Sequence, residues 1–135
     1  MQLAGFDHVT IRTRPQDVDA LRDFYQDVVG LQAGPRARFS FPGYWMYLGG
    51  QPVVHLAGTL PADGPGPGGP NSTGQFDHVS FKAVGIPAIR AKLDALGYRY
   101  AEVPVPGMPV HQIFFYDPAG IKIELTFYNE SASRV

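Results

Sequence analysis

The chain has 135 residues, 12 acidic and 11 basic side chains and a formal net charge of -1, which suits one domain with a proper core. That balance argues against a nucleic-acid binder working through a basic patch, and no apolar run approaches the length of a membrane span. The absence of cysteine removes disulfides, thiolate nucleophiles and Cys-type zinc sites; with no leader pattern in "MQLAGFDH", a cytoplasmic protein is expected.

In chain order, "FDHVTIRT" alternates, with Val9 and Ile11 on one face and His8, Thr10 and Arg12 on the other, the period of a half-buried strand. Val18, Leu21, Phe24 and Val28 then fall at helical spacing, with Gly30 placed to end the helix. The segments "ARFSF", "YWMYL" and "PVVHLA" read as strands, the last two joined by a turn at Gly49 and Gly50. The Gly/Pro-dense "GTLPADGPGPGGPNSTG" holds no regular element and reads as a linker or mobile loop. Beyond it "FDHVSFK" repeats the first strand, with His78 in the place of His8. Ile86, Ile89, Leu93 and Leu96 predict a second helix with Pro87 near its start and Gly97 at its end. "YRYAEV", "HQIFFY" and "IKIELTF" complete this half, with "DPAG" at 117–120 as the last turn. The organisation is therefore α+β, with two tandem βαβββ modules: module one over about residues 2–57, a linker over 58–74 and module two over about 75–128.

The duplication also pairs chemistry. His8 matches His78, and His55 near the end of module one matches Glu124 on the last strand of module two. Imidazole and carboxylate suit Zn, Fe, Ni or Mn, and two His with one carboxylate and open positions suit Fe(II). Each residue alone has a plainer reading, as a surface His or the solvent face of an edge strand. Placement at repeat-matched positions favours a shared metal site. Arg12, Lys82 and Lys122 have the strand parity to meet an anionic group, or to stand as solvated rim residues. Aromatic residues such as Tyr128 would line the same cavity.

The paired "FDHV" strands, the two βαβββ modules and the ending "DPAGIKIEL" resemble the vicinal oxygen chelate superfamily, which includes glyoxalase I, bleomycin and fosfomycin resistance proteins, epimerases and extradiol dioxygenases. The resemblance runs from about Gln2 to Phe127 and implies mixed and antiparallel sheets curving around a cavity. It carries metal ligation over to His8, His78 and Glu124, and leaves His55 either as a fourth ligand or standing back as a catalytic acid or base. It also implies a divalent metal, Fe(II) favoured and Zn, Ni or Mn as alternatives, and a small substrate with two neighbouring oxygens. The favoured reading is a dioxygenase-like Fe(II) oxidoreductase, because the fourth position is not Glu. A glyoxalase-type lyase, isomerase or epimerase is the alternative, and a drug-binding resistance protein a further one. Against the extradiol signature, Phe114 stands where a substrate-facing tyrosine is expected, and His111 offers a second catalytic acid or base. If "HQIFFY" is one regular strand, however, His111 and Phe114 face opposite ways. Short members of the family imply a homodimer, with ligands from module one of one chain meeting those from module two of its partner.

Overall fold

The alternating segment around His8 forms the edge strand β1, Val9–Arg12, with Ile11 buried and Thr10 and Arg12 exposed. The computed structural model describes residues 1–2, 4–68, 72–74 and 76–134. The linker positions 69–71 and the Gln75 that opens the second repeat lie outside them. The described chain divides into two compact units after Gly68.

In module one a short 3-10 turn, Pro15–Asp17, leads into α1, Val18–Phe24, which loosens into a π-helical turn over Tyr25–Val29. Gly30 ends it with φ 95°, a left-handed conformation that an L side chain resists. Val18, Leu21, Phe24, Tyr25 and Val28 are all buried, so the predicted apolar stripe faces the core. Three strands follow: β2 Gln32–Gly34, β3 Gly43–Leu48 and β4 Gln51–Ala57. The sheet order is β1-β4-β3-β2, with β1 parallel to β4 and the other neighbours antiparallel.

The strand expected over "ARFSF" is not formed; the outer strand is β2, five residues earlier in the chain. Residues 35–42 instead loop back between Pro35 and Pro42. Phe39 and Phe41 stack on each other at 4.8 Å, Arg36 lies over both rings, and its guanidinium donates to the Phe41 carbonyl at 2.8 Å. The apolar alternation there serves a local ring stack rather than a ladder.

Module two repeats the plan with β5 His78–Lys82, α2 Ile86–Leu96, β6 Ala101–Pro104, β7 Val110–Tyr116 and β8 Lys122–Tyr128. Its order is β5-β8-β7-β6, again with the first pair parallel and the rest antiparallel. The fold is therefore α+β, two βαβββ modules each built on a four-stranded mixed sheet. Val79, Ile113, Phe115, Ile123, Leu125 and Phe127 share the helix-side face, where all but Val79 are buried. Their strand neighbours turn the opposite way, leaving an open face of polar and aromatic side chains. The "DPAG" turn is held by Asp117, whose Oδ1 accepts from the backbone of Ala119 and Ile121.

Candidate functional site

On the open face of module one, Thr10, Trp45 and His55 sit side by side through the β1–β4 and β3–β4 registers. His8, two residues before Thr10, adds its ring to that row. The two nitrogens of an imidazole, one donor and one acceptor in the neutral ring, then decide what each His can do. Nδ1 of His8 lies 2.6 Å from Oδ2 of Asp7; the carboxylate only accepts, so the proton sits on Nδ1 and the Nε2 lone pair is left for another partner.

His55 is held between two rings. His8 stacks on one face at 3.8 Å and 6°, Trp45 on the other at 4.3 Å and 15°. Its Nε2 donates to the Pro52 carbonyl at 3.1 Å, which leaves Nδ1 as its free basic atom. Beside this bond β4 carries a bulge: Met46 pairs with Val54 and Tyr47 with Pro52, so Val53 is left over. Burial pushes the His55 imidazole below its ordinary pKa, and the neighbouring His8 adds to the effect. Imidazole lone pairs lie in the ring plane, and two nearly parallel rings do not aim them at one point. This geometry sets His55 against His8 as a stacked neighbour. Arg12 is engaged elsewhere, donating to the Thr59 hydroxyl at 2.9 Å and its carbonyl at 3.2 Å.

The open face of module two carries the matching pair. His78 Nδ1 lies 2.7 Å from Asp77 Oδ2, and Lys122 reaches the same oxygen at 3.1 Å. The His78 bond, followed by Lys122, holds the Asp77 carboxyl below its usual range. Glu124 is buried, with its Oε2 accepting from Ser80 at 2.7 Å and from Thr126, and its Oε1 from Gln112 at 3.2 Å. That same Oε1 faces His78 Nε2 at 3.2 Å. With the His78 proton on Nδ1, a lone pair meets a carboxylate lone pair at hydrogen-bond distance. Such a contact closes only around a proton or a cation. Two ligand atoms each about 2.1 Å from one divalent ion stand about 3.0–3.4 Å apart at octahedral to tetrahedral angles, so the pair fits one.

Of the remaining candidates, Phe114 touches His78 edge-on at 6.0 Å, and Lys82 lies over the Tyr128 ring at 5.3 Å. Strand β7 is regular, so His111 falls on the opposite face from Phe114. There its Nε2 donates to Glu102 at 2.7 Å, in a cluster with Arg90 from α2. The face of β7 thus separates His111 from Glu124 and removes it from the open-face chemistry. Among the described residues, the potential ligands in each unit gather as pairs, and no cluster of three is formed.

Sequence reasoning passed over Asp7 and Asp77, although both stand in the repeated word "FDHV" and orient the His that follows. It also passed over Ser80, Gln112 and Thr126. Ser80 and Thr126 share the parity of His78 and Glu124, a legible signal, whereas Gln112 needed the β7–β8 register.

The family model described as Glyoxalase/Bleomycin resistance protein/Dioxygenase superfamily matches residues 5–125. "Glyoxylase I 4" of Arabidopsis thaliana is 30% identical over 128 residues, covering 93% of this chain and 71% of that protein. A putative glyoxalase family protein from Bacillus anthracis superposes with TM-score 0.74 at 21% identity, over 95% of this chain and 98% of that one. A mutant of the fosfomycin resistance protein FosX from Listeria monocytogenes, solved with Mn(II) and 1S,2S-dihydroxypropylphosphonic acid, gives TM-score 0.70 at 15% identity, covering 94% of each chain. At these identities the two structures speak for the fold.

Proposed function

Since the chain belongs to the Glyoxalase/Bleomycin resistance protein/Dioxygenase superfamily, we propose that it is a divalent-metal-dependent enzyme acting on a small molecule with two neighbouring oxygens, through proton transfer of the glyoxalase type. The observation that carries this reading is His78 Nε2 facing the buried Glu124 carboxylate at 3.2 Å, each already oriented by its own partners. A carboxylate behind a His and hydroxyls behind a Glu are the supports that metal ligands ordinarily have.

In this reading His8 Nε2, His78 Nε2 and Glu124 hold the ion. Asp7 and Asp77 fix the two imidazole tautomers, and Ser80 and Thr126 keep the Glu124 carboxylate from rotating. The bound cation would supply Lewis-acid polarisation of the two substrate oxygens. His55, neutral and anchored through Nε2, accepts a substrate proton at Nδ1 and returns it. The relative named "Glyoxylase I 4" supports this class, and the same fold in FosX holds Mn(II) and a dihydroxy compound in that protein.

A dioxygenase-like Fe(II) oxidoreductase is the second reading. It is favoured by the two-His, one-carboxylate donor set, which leaves positions open for O₂ as well as substrate. Phe114 in place of a phenol weighs on the other side. Zinc, nickel, manganese and iron(II) binding to chelator-treated protein, followed calorimetrically, tests the common premise. One ion per chain is expected, with affinity reduced at least about 100-fold in Glu124→Gln. Full affinity in that variant would overturn the site. Turnover of a 2-oxoaldehyde thiol adduct against O₂ uptake with catechols then separates the two chemistries.

A further inference from the structure

Beside the His78–Glu124 pair, the open face of module two holds a groove of about 590 Å³ whose lining includes Arg99, Ala101, Val103, Phe114, Tyr116 and Lys122. Its volume falls within the roughly 300–1,000 Å³ of small-molecule sites. The registers Phe114↔Glu124, Tyr116↔Lys122 and Ala101↔Phe114 place its floor on the same face as Glu124. Phe114 forms the near end, edge-on to His78 at 6.0 Å.

We infer that this groove seats the body of the substrate and selects a flat, apolar molecule that carries an anionic group. The inference rests on the metal-site reading only for where the substrate's two neighbouring oxygens go. Aromatic rings at Phe114 and Tyr116 offer faces for stacking, and the small side chains Ala101 and Val103 on the outer strand leave the space above them open. The charges are unequal in what they have to spare. Lys122 is answered by Asp77 at 3.1 Å and lies over the Phe114 ring at 5.7 Å. Arg99 extends the same face two residues before Ala101, and among the described residues it has no ion pair or hydrogen bond. A guanidinium beside apolar walls matches a carboxylate, sulfonate or phosphonate, whose oxygens its planar fork can take in pairs.

The test is a fluorescence titration of the full chain with 8-anilino-1-naphthalenesulfonate, run beside N-phenyl-1-naphthylamine, which keeps the rings and lacks the sulfonate. Saturable binding of the anion is expected, about tenfold or more tighter than the neutral compound. Arg99→Gln should erase that difference while leaving the neutral compound unchanged. Ala101→Trp, an exposed edge-strand substitution that fills the groove, should abolish binding of both. Equal affinity of wild type for the two probes, or anion binding unchanged in both variants, overturns the inference. Glu124→Gln should retain the anion's affinity. Retained metal binding in that variant would therefore count against the metal site alone, and an Arg99-independent probe against the groove alone.

Discussion

Asp7 and Asp77 supply no ligand atom in this reading, yet each contacts Nδ1 of the following His and so fixes which of its nitrogens is free. Their effect is separable from that of the ligands. Asp77→Asn keeps a hydrogen-bond acceptor but removes the negative charge that faces His78 Nδ1 at 2.7 Å. Metal affinity should fall about 10–100-fold, less than in Glu124→Gln, and calorimetry with Zn(II) checks it. An unchanged affinity would show that Asp77 serves only Lys122, its other partner at 3.1 Å. The pairing of Asp with His was present in the repeated four-residue word. What no residue pattern displayed was the tautomer, which depends on a 2.6–2.7 Å contact between adjacent side chains.

Helix α2 shows how an element can be legible in outline and not in its supports. Its start and its Gly97 end follow from Pro87 and the apolar spacing, but its buried face includes Arg90, and Leu96 is exposed. The Arg90 guanidinium donates to Glu102 on β6 at 2.6 Å and to the Ala132 carbonyl at 2.8 Å, while His111 and Arg134 meet the same carboxylate. At the other end Glu130 accepts from the backbone of Gly85 and Ile86, capping the helix from beyond β8. Arg90 first, against the opposing cost of burial and with help from His111 and Arg134, lowers the Glu102 pKa from 4.5 to about 2. A depressed carboxylate stabilises the fold above its unfolded pKa and loses that contribution as pH falls through the folded value. Glu102→Gln should therefore be less stable than wild type by roughly 2–3 kcal/mol at pH 7. The gap should narrow between pH 4.5 and 2 in urea titrations. A gap independent of pH would assign the loss to packing.

For the whole molecule we propose a homodimer in which module one of one chain and module two of its partner complete a metal site. Light scattering should give twice the 14.7 kDa chain mass. Co-expression of a His8→Ala chain with a Glu124→Ala chain adds a sharper measurement. Sites built across chains leave one intact site in each mixed dimer, so about half of the wild-type metal content per dimer returns. Sites built within a chain leave none, and no metal returns.

The strand and helix periods, the Gly and Pro stops and the repeated "FDHV" determined the two βαβββ modules and pointed to His8, His78, His55 and Glu124, because those signals are local or repeat-related. Face and partner were decided only in three dimensions. His111 and Phe114 lie three residues apart on one strand, yet one joins an ion-pair cluster under α2 and the other the open face. "ARFSF" had the composition of a strand, and its own ring stack and two flanking prolines gave it a different use. His55 owes its place to a β4 bulge and to rings from β3 and the residue before β1. Alternation says that two residues point the same way; which side chain waits there is fixed by register between distant strands, and register is a property of the folded sheet.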